Sequence, residues 1–115
     1  MVRRDDRLVK HILRHGDGRT RPEKGRAVLL HYTAAHRNGQ IFDSTHLEPQ
    51  GPRHFVVGLG QLIKGIDLAV QSMSEGEHAL IRVPAIYAYG AQGLPGLVPP
   101  DTDLIYEVSL VRVLR

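Results

Sequence analysis

The sequence predicts an α+β domain in which several antiparallel strands carry a single short helix across one face of a curved sheet. Three observations lead there. Apolar runs of strand length recur along the chain. Only one segment changes to a three- and four-residue period, as one face of a helix does. Asn38-Gly39 lies between two of the apolar runs and is the dipeptide of a tight hairpin. One helix beside many strands must cover one face of the sheet.

In chain order, residues 1–7 read as a tail, and residues 8–115 as one domain. LVKHILRH (8–15) reads as a strand ended by GDGRT, and AVLLHYTA (27–34) as a stronger one rich in β-formers. After the Asn38-Gly39 turn comes its partner IFDS (41–44), then a turn-rich connection with two prolines, THLEPQGPRH, and a short strand FVVG. In GQLIKGIDLAVQSM, residues Leu62, Ile63, Ile66, Val70 and Met73 share a helical face, with Gly58 and Gly60 turning the chain into it. HALIRVP (78–84) is a further strand. In DLIYEVSLVRVL (103–114), residues Leu104, Tyr106, Val108, Leu110 and Leu114 lie on one face, with Glu107 and Ser109 opposite.

YAYGAQGLPGLVPP (87–100) fits none of these. It has three glycines and three prolines, which belong to an exposed loop, yet it carries aliphatic and aromatic residues and no charge. Such a loop either folds back over the core or walls an apolar site.

The totals narrow the chemistry. The 115 residues suffice for one core, and 42% hydrophobic with 23% charged residues is ordinary for a globular domain. No apolar run reaches the roughly 20 residues of a membrane helix, and the arginine-bearing start lacks the apolar segment of a secretory signal. The absence of cysteine removes disulfides, thiol nucleophiles and thiolate metal sites, in keeping with a cytoplasmic protein. A net charge of +3 of mixed sign, without interleaved aromatics, reads as a solvated surface and not a nucleic-acid interface.

The seven histidines show neither H-x-H nor H-E-x-x-H, so no metal is expected. GLGQLIKG lacks the spacing of a nucleotide loop, and the serines lack a G-x-S-x-G context. No cofactor is expected. Asp43, directly after Phe42 and near Tyr32, reads either as part of a site or as a turn cap through Ser44 and Thr45. One reaction needs no nucleophile, acid–base pair or metal. Rotation about an X–Pro bond faces a barrier of roughly 18–20 kcal/mol from amide resonance. The twisted amide is less polar than the planar one, so an apolar pocket with one polar handle favours it.

GDGRTRPEKG, LLHYT, NGQIFDST, FVVGLGQLIKGIDLAVQSMSEGEHALIRVP, YAYGAQGLPGLVPP and DLIYEVSLVRV, in this order from about Val9 to Leu114, resemble the FKBP family of peptidyl-prolyl isomerases. The resemblance implies a strongly bent antiparallel sheet wrapped around one short helix, with a peptidyl-proline pocket between them. It places Asp43, Phe42, Tyr89, Tyr32 and Tyr106 in the catalytic pocket. Arg53, Leu62, Ile63, Ile66, Leu94, Leu97 and Val98 become substrate- or ligand-binding positions. Asp43 would be the polar wall, and the Tyr89 hydroxyl and Ile63 amide would be donors.

Several positions depart from the family pattern. Ile66 stands where strongly drug-binding members have Trp, and Arg53 where they often have an aromatic residue. Leu94, Tyr106 and Ala34 are milder changes, and the loop around HLEPQGP is about one residue longer than in the shortest members. The implied partners are proline-containing peptide or protein segments, with tacrolimus or rapamycin bound at reduced affinity, no nucleic acid and no membrane, by a monomer. An FKBP-like interaction module with weak or no isomerase activity is the alternative. Asp43, Phe42 and Tyr89 favour the enzyme, whereas Ile66 and Arg53 favour the module.

Overall fold

The computed structural model describes residues 7–47, 49 and 51–114. The expected tail at 1–7 lies, except for Arg7, outside the described residues. Six strands form one antiparallel sheet: β1 (Val9–Arg14), β2 (Ala27–His36), β3 (Ile41–Ser44), β4 (Arg53–Val56), β5 (His78–Val83) and β6 (Leu104–Val113). A single α-helix, α1 (Lys64–Ser72), lies between β4 and β5 in sequence. The sheet order is β1-β5-β6-β2-β3, with β4 also on β2. Among the described residues, no helix is long and apolar enough to cross a membrane.

The long central strands follow the two-residue period read from the sequence. On β2, Val28, Leu30, Tyr32 and Ala34 are buried, and on β6 so are Leu104, Tyr106, Val108 and Leu110. Leu114 falls outside β6, after a register shift opposite Leu29 and Leu30, so it does not continue that face. From the other side, Ile66, Ala69 and Val70 of α1, with Met73 just past its end, close the core. The helix sits close because Gly65 faces the sheet, where a Cβ would come within 2.6 Å of Val83 Cγ1.

The helix is shorter than the periodic stretch. Residues Gly58 to Ile63 form its approach, with positive φ at Gly58 and Gly60, and the helical backbone begins only after Ile63 (ψ 150°). Two side chains brace this turn: Gln61 Oε1 accepts from the Val56 amide at 2.8 Å, and Asp67 Oδ1 from the Gly58 amide at 2.8 Å. The strand expected at FVVG starts two residues earlier, at Arg53, because four residues of β4 pair with Ala27–Leu30 of β2. The Asn38-Gly39 hairpin forms where expected, with Gly39 at φ 94° and the His36 amide donating to the Gln40 carbonyl at 2.9 Å.

Beyond this hairpin, one edge of β2 is shared by two strands. Its first half pairs with β4 and its second half, Thr33–Ala35, with β3. The connection between them leaves the sheet through a 3-10 turn at Thr45–Leu47. At the gap, the Thr45 hydroxyl accepts from the Tyr32 amide (2.8 Å) and donates to the Tyr32 carbonyl (3.2 Å). A buried side chain thus replaces the missing strand partner.

Candidate functional site

The shared edge of β2 builds the site. On the concave face, Arg53 pairs with Leu30 and Asp43 with Ala34, so the two charged residues flank Tyr32 from two different strands. The Tyr32 hydroxyl donates to Asp43 Oδ2 at 2.6 Å and accepts from Arg53 Nη1 at 2.9 Å. Arg53 Nη2 stands 3.7 Å from Asp43 Oδ1, and its guanidinium carbon lies 5.7 Å from the Tyr32 ring centroid. Arg53 and Asp43 are each more than a third exposed, so their direct ion pair adds little by itself. Its geometric effect is larger: the Tyr32 hydroxyl is held between two charges.

These residues border a cavity of about 190 Å³. Leu62, Ile63 and Ile66 reach it from the helix approach and the helix, Tyr106 from β6, and Tyr89 from the loop after β5. Tyr32 stacks on Tyr106, with centroids 5.9 Å apart and planes 30° apart, and meets Phe55 at 6.2 Å in a tilted arrangement. Burial pushes the Tyr106 hydroxyl far above the usual phenol range, with the neighbouring tyrosines adding to it. Tyr32 is raised likewise, first by burial and then by its bond to Asp43, and Tyr89 is raised by burial and by Asp43. All three are therefore neutral hydroxyls at physiological pH, able to donate hydrogen bonds and unable to act as bases. Among the described residues, no three His, Cys, Asp or Glu side chains could hold a metal ion.

Of the positions singled out in the sequence, Tyr32, Asp43, Arg53, Leu62, Ile63, Ile66, Tyr89 and Tyr106 meet at this one cavity. Leu97 and Val98 line a second groove, of about 370 Å³, with His36 and the loop prolines. Leu94 pairs with Val98 in an isolated bridge and packs on the core beside them. Phe42 lines neither space. It is the extra residue of a β-bulge between Ala34 and Ala35, partly buried against the core, with its ring stacked on His36 at 5.0 Å.

Sequence reasoning missed Leu30, Phe55, Gln61 and Val108, which also border the cavity. Their alternation with the named residues could have found three of them. Phe55 lies two residues after Arg53, Leu30 two before Tyr32, and Val108 two after Tyr106, each on the same strand.

The profile of the FKBP-type peptidyl-prolyl cis-trans isomerase family matches residues 18–111. Among curated relatives, FK506-binding protein 1 of Eremothecium gossypii is 46% identical over 98 residues, covering 85% of each chain. FK506-binding protein 1 of Saccharomyces cerevisiae is 44% identical over 98 residues, again covering 85% of each. A peptidyl-prolyl cis-trans isomerase of Schizosaccharomyces pombe is 38% identical over 106 residues, covering 92% of this chain and 94% of its own. With its bent six-stranded antiparallel sheet and single short helix, this chain belongs to the FKBP-type peptidyl-prolyl cis-trans isomerase family.

Proposed function

We propose that this chain accelerates rotation of X–Pro bonds in the cavity bordered by Tyr32, Asp43, Ile66, Tyr89 and Tyr106. The observation that carries the reading is the company Asp43 keeps: one carboxylate, with Arg53 beside it, in a cavity walled by aliphatic and aromatic side chains whose three phenolic hydroxyls stay neutral. The peptidyl-proline enters over Ile66. Leaving water weakens the planar, more polar amide relative to the twisted one. The Tyr89 hydroxyl and the Ile63 amide donate to the substrate backbone, and Asp43 presents the polar wall. No bond is made or broken except the partial double bond lost in the twist. Lowering the barrier by about 4 kcal/mol accelerates rotation about a thousandfold.

The same proposal covers the finer properties. Residues 8–115 act as a single isomerase domain, monomeric and cytoplasmic, on proline-containing segments of polypeptide. Macrocycles of the tacrolimus and rapamycin kind bind in the same cavity, less tightly than with an indole floor. Ile66 presents less flat surface, and Arg53 puts a cation where an apolar ring would otherwise lie.

The test is protease-coupled isomerisation of Leu-Pro and Phe-Pro peptides by the native protein, Asp43→Ala and Tyr89→Ala. Acceleration by the native protein that is lost in both folded variants is expected. No acceleration by well-folded native protein would sink the reading and leave a proline-binding module.

A further inference from the structure

We propose that His36 is a positioning residue for this site: it latches the Leu94–Val98 turn, which follows the cavity residue Tyr89 in the same loop, to the end of β2. The inference rests on the isomerase reading above, which gives no role to His36.

The loop tip is organised by its own backbone. Amides of Leu94 and Val98 exchange hydrogen bonds with the carbonyls of Val98 and Leu94 at 2.7 and 2.8 Å, and Gly93 donates to Tyr89 at 3.0 Å. Gly93 has φ 65°, and a Cβ there would run into the Val98 carbonyl oxygen and the Pro99 backbone. These bonds shape the turn without attaching it to anything. Among the described residues, the hydrogen bond that ties the tip to another element runs from His36 Nε2 to the Leu97 carbonyl, at 2.6 Å. A carbonyl only accepts, so Nε2 carries the proton.

His36 is built to hold this position. Its backbone is fixed twice by the hairpin turn, donating to Gln40 and accepting from Gly39. Its ring is stacked 21° from coplanar on Phe42, the bulged residue next to Asp43. One imidazole therefore joins the loop wall to the strand that carries the carboxylate. Val98, next to the latched carbonyl, is 4% exposed and packs in the core, whereas Leu97 is 49% exposed. The latch thus acts where packing grip on the turn ends.

Two substitutions separate the parts of the latch. His36→Phe keeps a ring over Phe42 but removes the donor, and His36→Gln offers an amide donor at similar reach. His36→Phe should speed amide hydrogen exchange at Leu94 and Val98 and raise KM roughly two- to tenfold, the worth of one hydrogen bond, with kcat unchanged within about twofold. His36→Gln should recover both toward native. Neither should move the thermal unfolding midpoint as loss of a core residue would. Native exchange rates and native KM in His36→Phe would overturn the proposal, as would equal losses in Phe and Gln variants. A native protein without isomerase activity would overturn the reading of the site, while the exchange rates would still decide the latch.

Discussion

Tyr32, Asp43, Arg53 and Tyr106 stand on strands paired along their length to β2 or β6, whereas Leu94, Leu97 and Val98 stand on a turn that bonds mostly to itself. The strand wall takes its geometry from long-range ladders and cannot shift without breaking them. The loop wall, which borders the groove of Leu97 and Val98 and not the cavity, takes its shape from glycine and proline and its place from Val98 burial and His36. Stability should therefore reside in the first wall and adjustment to different substrates in the second.

Breaking the strand wall should have the largest effect. Tyr106→Ala removes a buried ring stacked on Tyr32 and should cost about 3–5 kcal/mol in urea unfolding, the range for aromatic truncation in a core, together with isomerase activity. The same wall should make the fold alkali-sensitive. Tyr32, Tyr89 and Tyr106 have hydroxyls raised above their ordinary 10.0, so the folded protein keeps protons that the unfolded chain gives up. Their contribution is complete below pH 10 and declines as pH rises above it. Tyrosinate absorbance followed against pH should show these three ionising late, with unfolding. Early ionisation of all tyrosines in the folded state would count against the buried cluster.

Gly93→Ala attacks the loop wall at its backbone and should cost about 1–3 kcal/mol, the strain of a side chain forced to positive φ against a carbonyl. Its unfolding free energy and KM should change together, while the Tyr32–Tyr106 stack persists. Within the polar corner the effects shrink. A double-mutant cycle on Asp43→Asn and Arg53→Met should give a coupling of only about 0.2–1 kcal/mol, falling with added salt, because both groups touch solvent. A coupling much above this range would mean that Arg53 is integral to the strand wall. Leu97→Ala, at a half-exposed turn position, should change stability by no more than about 0.5 kcal/mol.

Much of the fold was legible because its signals are local. The period on β2 and β6, the Asn38-Gly39 turn and the helical face through Ile66 and Val70 each lie within a dozen residues. Errors fell where pairing overrides local preference. The helix starts only at Lys64 because Gly58 to Ile63 serve as its approach, and β4 begins at Arg53 because β2 offers partners there. Most cavity residues were legible too, through the family resemblance, but Phe42, Leu94, Leu97 and Val98 lie outside the cavity for reasons no short window holds.

The sequence by itself determined the strands, the hairpin, the helix and the apolar character of the loop, since each follows from period and turn chemistry within a short segment. Tertiary structure alone decided that β3 and β4 share one edge of β2, that Thr45 bridges the gap at Tyr32, and that Arg53 and Asp43 meet across that tyrosine. It also decided the bulge that sets Phe42 under His36 and brings His36 to the Leu97 carbonyl, 61 residues away. The reason is physical. A two-residue period specifies which face a side chain takes, but register and bulges are set by the partner strand, and that partner is chosen only when the sheet closes.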